Sequence, residues 1–257
     1  MKISVVVITY NEADRLEAAL RSVGGIADEI VVVDRHSSDD TVSIAKKYTD
    51  RVIQREWTNF ADQKNFANSK AAGPWILSLD ADERLSPELR QEILELKEQE
   101  PSVSAFSVPR QSFYLGRWIR HSGWFPDRKT RLFHKDRARW EGRFVHESLE
   151  VEGEVKSLQG TLLHFTYRSL SDHLRRIDVY SSLGAQRLYA DQRRCRWFHM
   201  ALVPLFRFLR TWVWKAGFLD GWAGFVIAVM EAYGVFVRSA KLREIWKKGE
   251  RIEPFPN

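Results

Sequence analysis

The chain has 257 residues, 44% hydrophobic and 29% charged, which suits one large domain or a domain with an appendage and excludes wholesale disorder. Its single cysteine, Cys195, excludes an internal disulfide, argues against a cysteine-built metal site and fits a reducing, cytosolic exposure. The net charge of +6 is uneven: from Arg168 onward 16 Lys and Arg stand against 8 Asp and Glu, while the first 167 residues hold 24 against 26.

The apolar run Ile3–Ile8 reads as a first strand, and it is too short for a signal peptide. In "EADRLEAALRSV", Leu16, Ala19, Leu20 and Val23 fall at helical spacing. Ile30–Val33 is a second β-branched run, the pattern of a strand buried on both faces of a parallel sheet. "SSDDTVSIAKKY" follows, opening on the good N-cap residues Ser37, Ser38 and Asp39. A third strand is expected at Arg51–Glu56, then the helix "FADQKNFANSKAA", the turn "GPW" and a fourth strand at Trp75–Leu79. After it, "SPELRQEILELKEQ" starts a helix with Ser86 as cap and Pro87 at the first helical position. Strand–helix alternation over these 100 residues predicts a doubly wound α/β sheet.

From Ala105 to Phe165 the short alternating segments predict antiparallel strands added to that sheet. Residues 169–190 read as a long helix capped by Ser169 or Ser171. Two or three apolar, aromatic helices studded with Arg and Lys should follow. No window reaches the roughly 18 uncharged apolar residues of a membrane span, the longest candidate being Gly221–Met230. The expected organisation is a catalytic domain over 1–190 and a basic, aromatic-rich helical region over 191–257.

Ligands of open α/β sheets bind beyond the carboxyl ends of the strands. There the sequence places Asn11 and Glu12 after strand one, Asp34 after strand two, and Asp80, Asp82 and Glu83 after strand four. Asp34 suits a ribose. However, "TYNEAD" has no glycine for a dinucleotide fingerprint, and no Walker loop exists. On an extended backbone Asp80 and Asp82 share one side. Their hard oxygens suit Mg²⁺ or Mn²⁺, which keep open positions for substrate phosphates. Glu83 reads as a helix-capping or supporting group.

The pieces "VVVITYNE", "IVVVDRHSSDDT", "QKNFANSKAAGPWILSLDADE" and "FVHE" together resemble the inverting nucleotide-sugar glycosyltransferases of family 2, with the GT-A fold. "GWFPDRKTRLFHK" and "VHESLEV" look most like bacterial β-1,4-glucosyltransferases of lipopolysaccharide core synthesis. The resemblance implies that Asn11, Glu12 and Asp34 cradle base and ribose, that Lys64 and Asn65 line the nucleotide side, that Asp80 contacts the nucleotide and that Asp82 binds the metal. Where the family has small residues after the strand-two acid, this chain has Arg35, His36 and Ser37. Glu147 occupies the place of the family's catalytic acid and would take the acceptor's proton, with His146 beside it as a second candidate. His164 would supply a further metal ligand or a phosphate contact. Trp124, Asp127, Arg128 and Arg131 suit an acceptor pocket of stacked sugars and phosphorylated groups.

In the tail, Leu202, Leu205, Phe206 and Leu209 form an apolar stripe with Arg207 and Arg210 nearby, as in a helix lying in a membrane interface. The expected partners are therefore a nucleotide-sugar donor (a UDP-sugar the leading choice), a saccharide or lipid-linked acceptor, and the cytoplasmic face of the inner membrane, with no nucleic acid. A non-catalytic nucleotide- or nucleic-acid-binding module, or a nucleotidyltransferase, stands as the alternative.

Overall fold

The computed structural model describes residues 1–142 and 147–248. The chain forms two compact units, Met1–Gln111 with Asp127–His164, and Ser112–Pro126 with Phe165 onward. The contacts thus divide it differently from the expected 1–190 and 191–257. The long helix after residue 169 groups with the C-terminal helices, to which ion pairs and packed side chains tie it.

In chain order the elements are β1 (Ile3–Thr9), α1 (Leu16–Ser22), β2 (Glu29–Asp34), α2 (Thr41–Ala45), β3 (Val52–Gln54), α3 (Phe60–Lys70), β4 (Trp75–Asp80), β5 (Glu83–Leu85) and α4 (Pro87–Lys97). Then come β6 (Ala105–Tyr114), β7 (Arg117–Trp118), β8 (Asp127–His134), β9 (Ala138–Glu141), β10 (Ser148–Val151), β11 (Val155–Ser157) and β12 (Leu162–His164). The main sheet runs β3-β2-β1-β4-β8-β6-β12-β5. Its first four strands are parallel, and β8 is antiparallel to both β4 and β6. β9 and β10 make a separate antiparallel pair. This is the expected GT-A type layout, a parallel core extended by antiparallel strands.

Both faces of the core strands are apolar because both are covered. Ile3, Val5 and Val7 of β1, with Trp75, Leu77 and Leu79 of β4, bury against Leu16, Ala19 and Leu20 of α1 and Leu89 and Ile93 of α4. The alternate positions Val6 and Ile76, with Val31 and Val33 of β2, pack in a second cluster with Ala61 and Ala67 of α3 and Trp140 of β9. The third strand is shorter than expected. Its flanking arginines turn aside, Arg51 to pair with Glu29 and Arg55 to pair with Asp62.

In the second unit, α5 (Leu170–Ala190) is capped by Ser169, whose side chain accepts the Asp172 N–H. Then follow α6 (Trp197–Leu209), a π-helical stretch Arg210–Trp214, a 3₁₀ turn Gly217–Asp220 and α7 (Gly221–Lys248). Lys241 on α7 donates to Asp178 Oδ1 at 2.6 Å and to Ser182 Oγ at 2.7 Å on α5. Buried His173 hydrogen-bonds the Tyr114 hydroxyl at 2.7 Å and stacks on Tyr167 at 4.0 Å. Asp220, also buried, accepts the N–H groups of Arg120 and His121.

Two features of the tail stand out. No residue of α6 is buried, and Leu202, Leu205, Phe206 and Leu209 are all exposed. In α7 no 18-residue stretch is free of charge, as expected, but the segment Gly217–Lys248 contains an 18-residue window of mean hydropathy 1.4. The Glu231 carboxylate does not end an apolar helix when Thr211 donates to it and Arg207 lies 3.6 Å away. The window is weak grounds for a crossing, since it qualifies by length and composition alone and a third of it is buried within the protein.

Candidate active site

The polar residues after β1, β2 and β4 all belong to the first unit and lie at the carboxyl ends of neighbouring parallel strands. The loops after β1 and β2 are stitched together through two hydroxyls. Ser37 Oγ accepts the Asn11 N–H at 2.8 Å and donates to Asp34. Thr41 Oγ1 accepts the Glu12 N–H at 2.8 Å and donates to Asp39. Asn11 adopts a left-handed backbone, and its Oδ1 accepts the Ser38 N–H.

Asp34 is fully buried, and its carboxylate accepts Ser37 N–H and Oγ–H, with Gln54 Nε2 at 3.4 Å. The carboxylate at the strand end thus satisfies its own following turn and shapes the crevice wall. Tyr10 is exposed at this edge. The Arg35 guanidinium lies 4.7 Å from the Tyr10 ring and 4.9 Å from the Trp57 ring, a cation–π arrangement absent from the sequence reading.

At the end of β4 the backbone does not stay extended. Ala81 and Asp82 form a turn, and buried Glu83 accepts the Asp80 N–H through Oε2, closing the turn on itself. Asp80 and Asp82 consequently have different partners. Asp80 meets Arg131 Nη2 at 2.5 Å and Lys64 Nζ at 3.2 Å. Asp82 meets His164 Nε2 at 3.4 Å and Arg15 Nη1 at 3.7 Å. Glu83 shares Arg131 at 2.5 Å and takes Arg110 at 3.2 Å. Burial opposes the charge on Asp80, but Arg131, Lys64 and Arg110 outweigh it and hold the carboxyl well below the usual carboxylate range. Burial likewise opposes the Arg131 charge, and Asp80 and Glu83 overcome it, so the guanidinium is held protonated more firmly than usual. The crowded acids are thus compensated by the protein's own cations.

Arg131 was expected to face an acceptor. Its side chain is 4% exposed and is spent on these carboxylates. β8 pairs with β4 through Leu132 and Leu77, which carries the next residue, Arg131, alongside the end of β4. Asp127 is held by Arg110 at 2.6 Å and by Lys129. Arg128 is exposed and donates to the Leu158 carbonyl. Trp124 belongs to the second unit, where its ring packs with Tyr114, Tyr167 and His173.

His164 reaches Asp82 because β12 pairs antiparallel with β5, setting His164 opposite Glu83. The segment before it lies directly on the start of α4, where a Cβ at Gly160 would fall 2.3 Å from Leu89 Cα. Only glycine permits that approach. Glu92 then accepts the Gln159 and Gly160 N–H groups.

Glu147 also enters the cluster: its Oε1 lies 3.4 Å from Lys64 Nζ. His146 lies outside the described residues. Asn65, expected to line the nucleotide side, is committed elsewhere. Its amide accepts the Trp140 N–H at 3.0 Å and donates to the Trp140 carbonyl at 2.8 Å, as a neighbouring strand would.

Among the described residues no group of three or more His, Cys, Asp and Glu gathers as a ready metal cage. Asp82 and His164 offer two adjacent, mostly buried ligands, a hard oxygen and an imidazole nitrogen. Such a pair fits Mg²⁺ or Mn²⁺ bound with open positions that a diphosphate can fill.

The family model described as Glycosyl transferase family 2 matches residues 4–148. An uncharacterized glycosyltransferase of Rickettsia prowazekii (strain Madrid E) is 31% identical, over 98% of this chain and 90% of its own length. The lipopolysaccharide core biosynthesis glycosyltransferase LpsC of Rhizobium meliloti (strain 1021) is 29% identical, over 94% of this chain and 92% of its own. Among solved structures, S. aureus TarS 1–349 in complex with UDP-GlcNAc aligns over 97% of this chain and 93% of that one, at 15% identity and a TM-score of 0.47. That last likeness is too loose to carry a functional reading.

Proposed function

The chain belongs to glycosyl transferase family 2 and is a glycosyltransferase, and from that premise we propose that it is an inverting, metal-assisted enzyme of cell-envelope glycan synthesis. The donor is a nucleotide sugar, a UDP-sugar by preference, and the acceptor is a saccharide or lipid-linked saccharide such as lipopolysaccharide core. The observation that carries the reading is the meeting of Asp80, Asp82, His164 and Glu147 around the end of β4, from three separate stretches of chain. The LpsC relative, whose name assigns it to lipopolysaccharide core biosynthesis, supports the acceptor class.

In this reading the loops of Asn11 and Glu12 hold the base and ribose, shaped from behind by Asp34, and Asp80 contacts the nucleotide. Asp82 and His164 hold Mg²⁺ or Mn²⁺, which when bound supplies positive charge to the departing diphosphate. Glu147 accepts the proton of the acceptor hydroxyl. That oxygen attacks the anomeric carbon from the face opposite the diphosphate. The new C–O bond forms as the bond to the diphosphate oxygen breaks, with inversion. Arg128 faces the acceptor. Arg131 acts by holding Asp80. The exposed stripe of α6 rests on the cytoplasmic face of the inner membrane, its apolar side chains in the interface and its arginines toward anionic headgroups. Enzyme and lipid-linked acceptor then share one surface.

The test begins with thermal shifts for a panel of nucleotide sugars with and without Mn²⁺. The stabilising donor is then used for transfer to a truncated lipopolysaccharide core. Glu147→Gln should keep donor affinity and lose transfer by about 10²-fold or more. Asp82→Ala should abolish Mn²⁺-dependent donor stabilisation. Full transfer in excess EDTA overturns the metal assignment, and a fully active Glu147→Gln overturns the base.

A further inference from the structure

Lys64 projects from the middle of α3 with its side chain only 5% exposed. A buried ammonium is costly unless every donor finds a partner. Lys64 has three N–H donors and three partners. These are Asp80 Oδ1 at 3.2 Å, Glu147 Oε1 at 3.4 Å and the face of the Trp140 ring, 4.4 Å to its centroid.

The two carboxylates depend on it unequally. Asp80 also has Arg131 at 2.5 Å. For Glu147, the Lys64 contact is the one ion pair or hydrogen bond its side chain makes among the described residues. The next residue, Asn65, pins the main chain of Trp140 with two hydrogen bonds. One turn of α3 therefore grips Trp140 by its backbone and its ring, and grips Glu147 itself.

We propose that Lys64 is a positioning residue for Glu147: its ammonium fixes the acceptor-side base against the donor-side Asp80. The proposal rests on the reading of Glu147 as the base. It departs from the expected place of Lys64 on the nucleotide, because a diphosphate contact would require the ammonium to abandon two carboxylates and a ring. A displacement of about 1 Å in a reacting group costs on the order of 10²-fold in rate, so the role belongs in kcat rather than in donor affinity.

The test uses Lys64→Met, Lys64→Arg, Glu147→Gln and the double variant Lys64→Met/Glu147→Gln. UDP with Mn²⁺ is the binding probe, and transfer to the truncated lipopolysaccharide core gives kcat. Lys64→Met should bind UDP within about threefold of wild type while kcat falls about 30- to 100-fold. The double variant should be no slower than Glu147→Gln alone, because Lys64 acts through that carboxylate. Lys64→Arg keeps the charge but replaces a point donor with a planar fork, and should recover part of the rate. If Lys64→Met does not fold, Lys64→Arg carries the test, with kcat down about tenfold and UDP affinity kept. A loss of UDP affinity of tenfold or more with kcat retained, in either variant, overturns the proposal. So does a double variant slower than Glu147→Gln by the full Lys64→Met factor. A fully active Glu147→Gln shows instead that the base reading has failed, and the role of Lys64 falls with it.

Discussion

Arg131→Met removes the central cation of the carboxylate cluster and keeps much of the apolar stem. The guanidinium is 4% exposed and makes contacts of 2.5 Å to both Asp80 and Glu83. Removing one partner of a buried ion pair costs about 3–5 kcal/mol, because the other charge stays behind uncompensated. Lys64 still reaches Asp80 and Arg110 still reaches Glu83, each at 3.2 Å, which places the cost at the lower end, about 3 kcal/mol. In a chain of this size each kcal/mol moves the melting temperature by about 2–4 °C, so a drop of roughly 6–12 °C is expected. The sign with pH follows from Asp80. Its burial opposes ionisation, but Arg131 leads the cations that hold its carboxyl well below the usual range. A carboxyl depressed by folding stabilises the fold above its unfolded pKa of about 3.9, and that stabilisation fades as pH falls below it. The gap between wild type and Arg131→Met should therefore be full at pH 7 and begin to narrow only as pH falls below about 4. Urea unfolding followed by circular dichroism over this range is the assay. A cost under about 1 kcal/mol, or a gap of the same size at pH 3 as at pH 7, refutes the reasoning.

Three further outcomes are expected. His173 is pushed down to about 4 by burial and then by Arg176, whereas the unfolded chain takes up its proton near 6.5. Stability should drain by roughly 3 kcal/mol as pH falls from about 6.5 to 4, and His173→Phe should flatten that slope in pH-dependent melts. Asn65→Ala loses two hydrogen bonds to the Trp140 main chain and should cost about 1–3 kcal/mol in urea unfolding; a loss near zero would mean the tie is idle. Leu202→Glu with Phe206→Glu alters two exposed residues of α6. It should leave the melting temperature within about 2 °C of wild type while reducing sedimentation with vesicles containing anionic lipid at least tenfold. Unchanged vesicle binding would remove the surface role of α6.

The parallel core was readable because strands buried on both faces leave unbroken β-branched runs, as in Ile3–Ile8 and Ile30–Val33, and α1 and α4 announce themselves by spacing and caps. The acids after β4 were readable for the same reason, since a buried strand feeds them. What surrounds them was not. Arg131 and Arg110 come from β8 and β6, and nothing local in "KTRLF" or "VPRQS" says that these strands run back beside β4 or β8. Arg15 sits within "TYNEADR", where nothing in the spacing singles it out. Asp34 and Asn65 were placed by resemblance on the nucleotide, and their hydrogen bonds close a turn and hold a strand. Pattern shows that such a residue is needed, but not which partner satisfies it. His164 is the converse case: a lone histidine in the text, it is brought to Asp82 by the β12–β5 register.

The two bridging hydroxyls have a consequence for how the crevice breathes. Ser37 and Thr41 each accept an amide from the first loop and donate to an aspartate of the second. Neither hydroxyl can turn round without losing both contacts, so the direction of each bond is fixed. The amide protons of Asn11, Glu12, Ala13 and Ser38 are all held across this seam. They should exchange with solvent in a single cooperative opening rather than one by one. The lip of the crevice is in that sense one kinetic unit drawn from two loops.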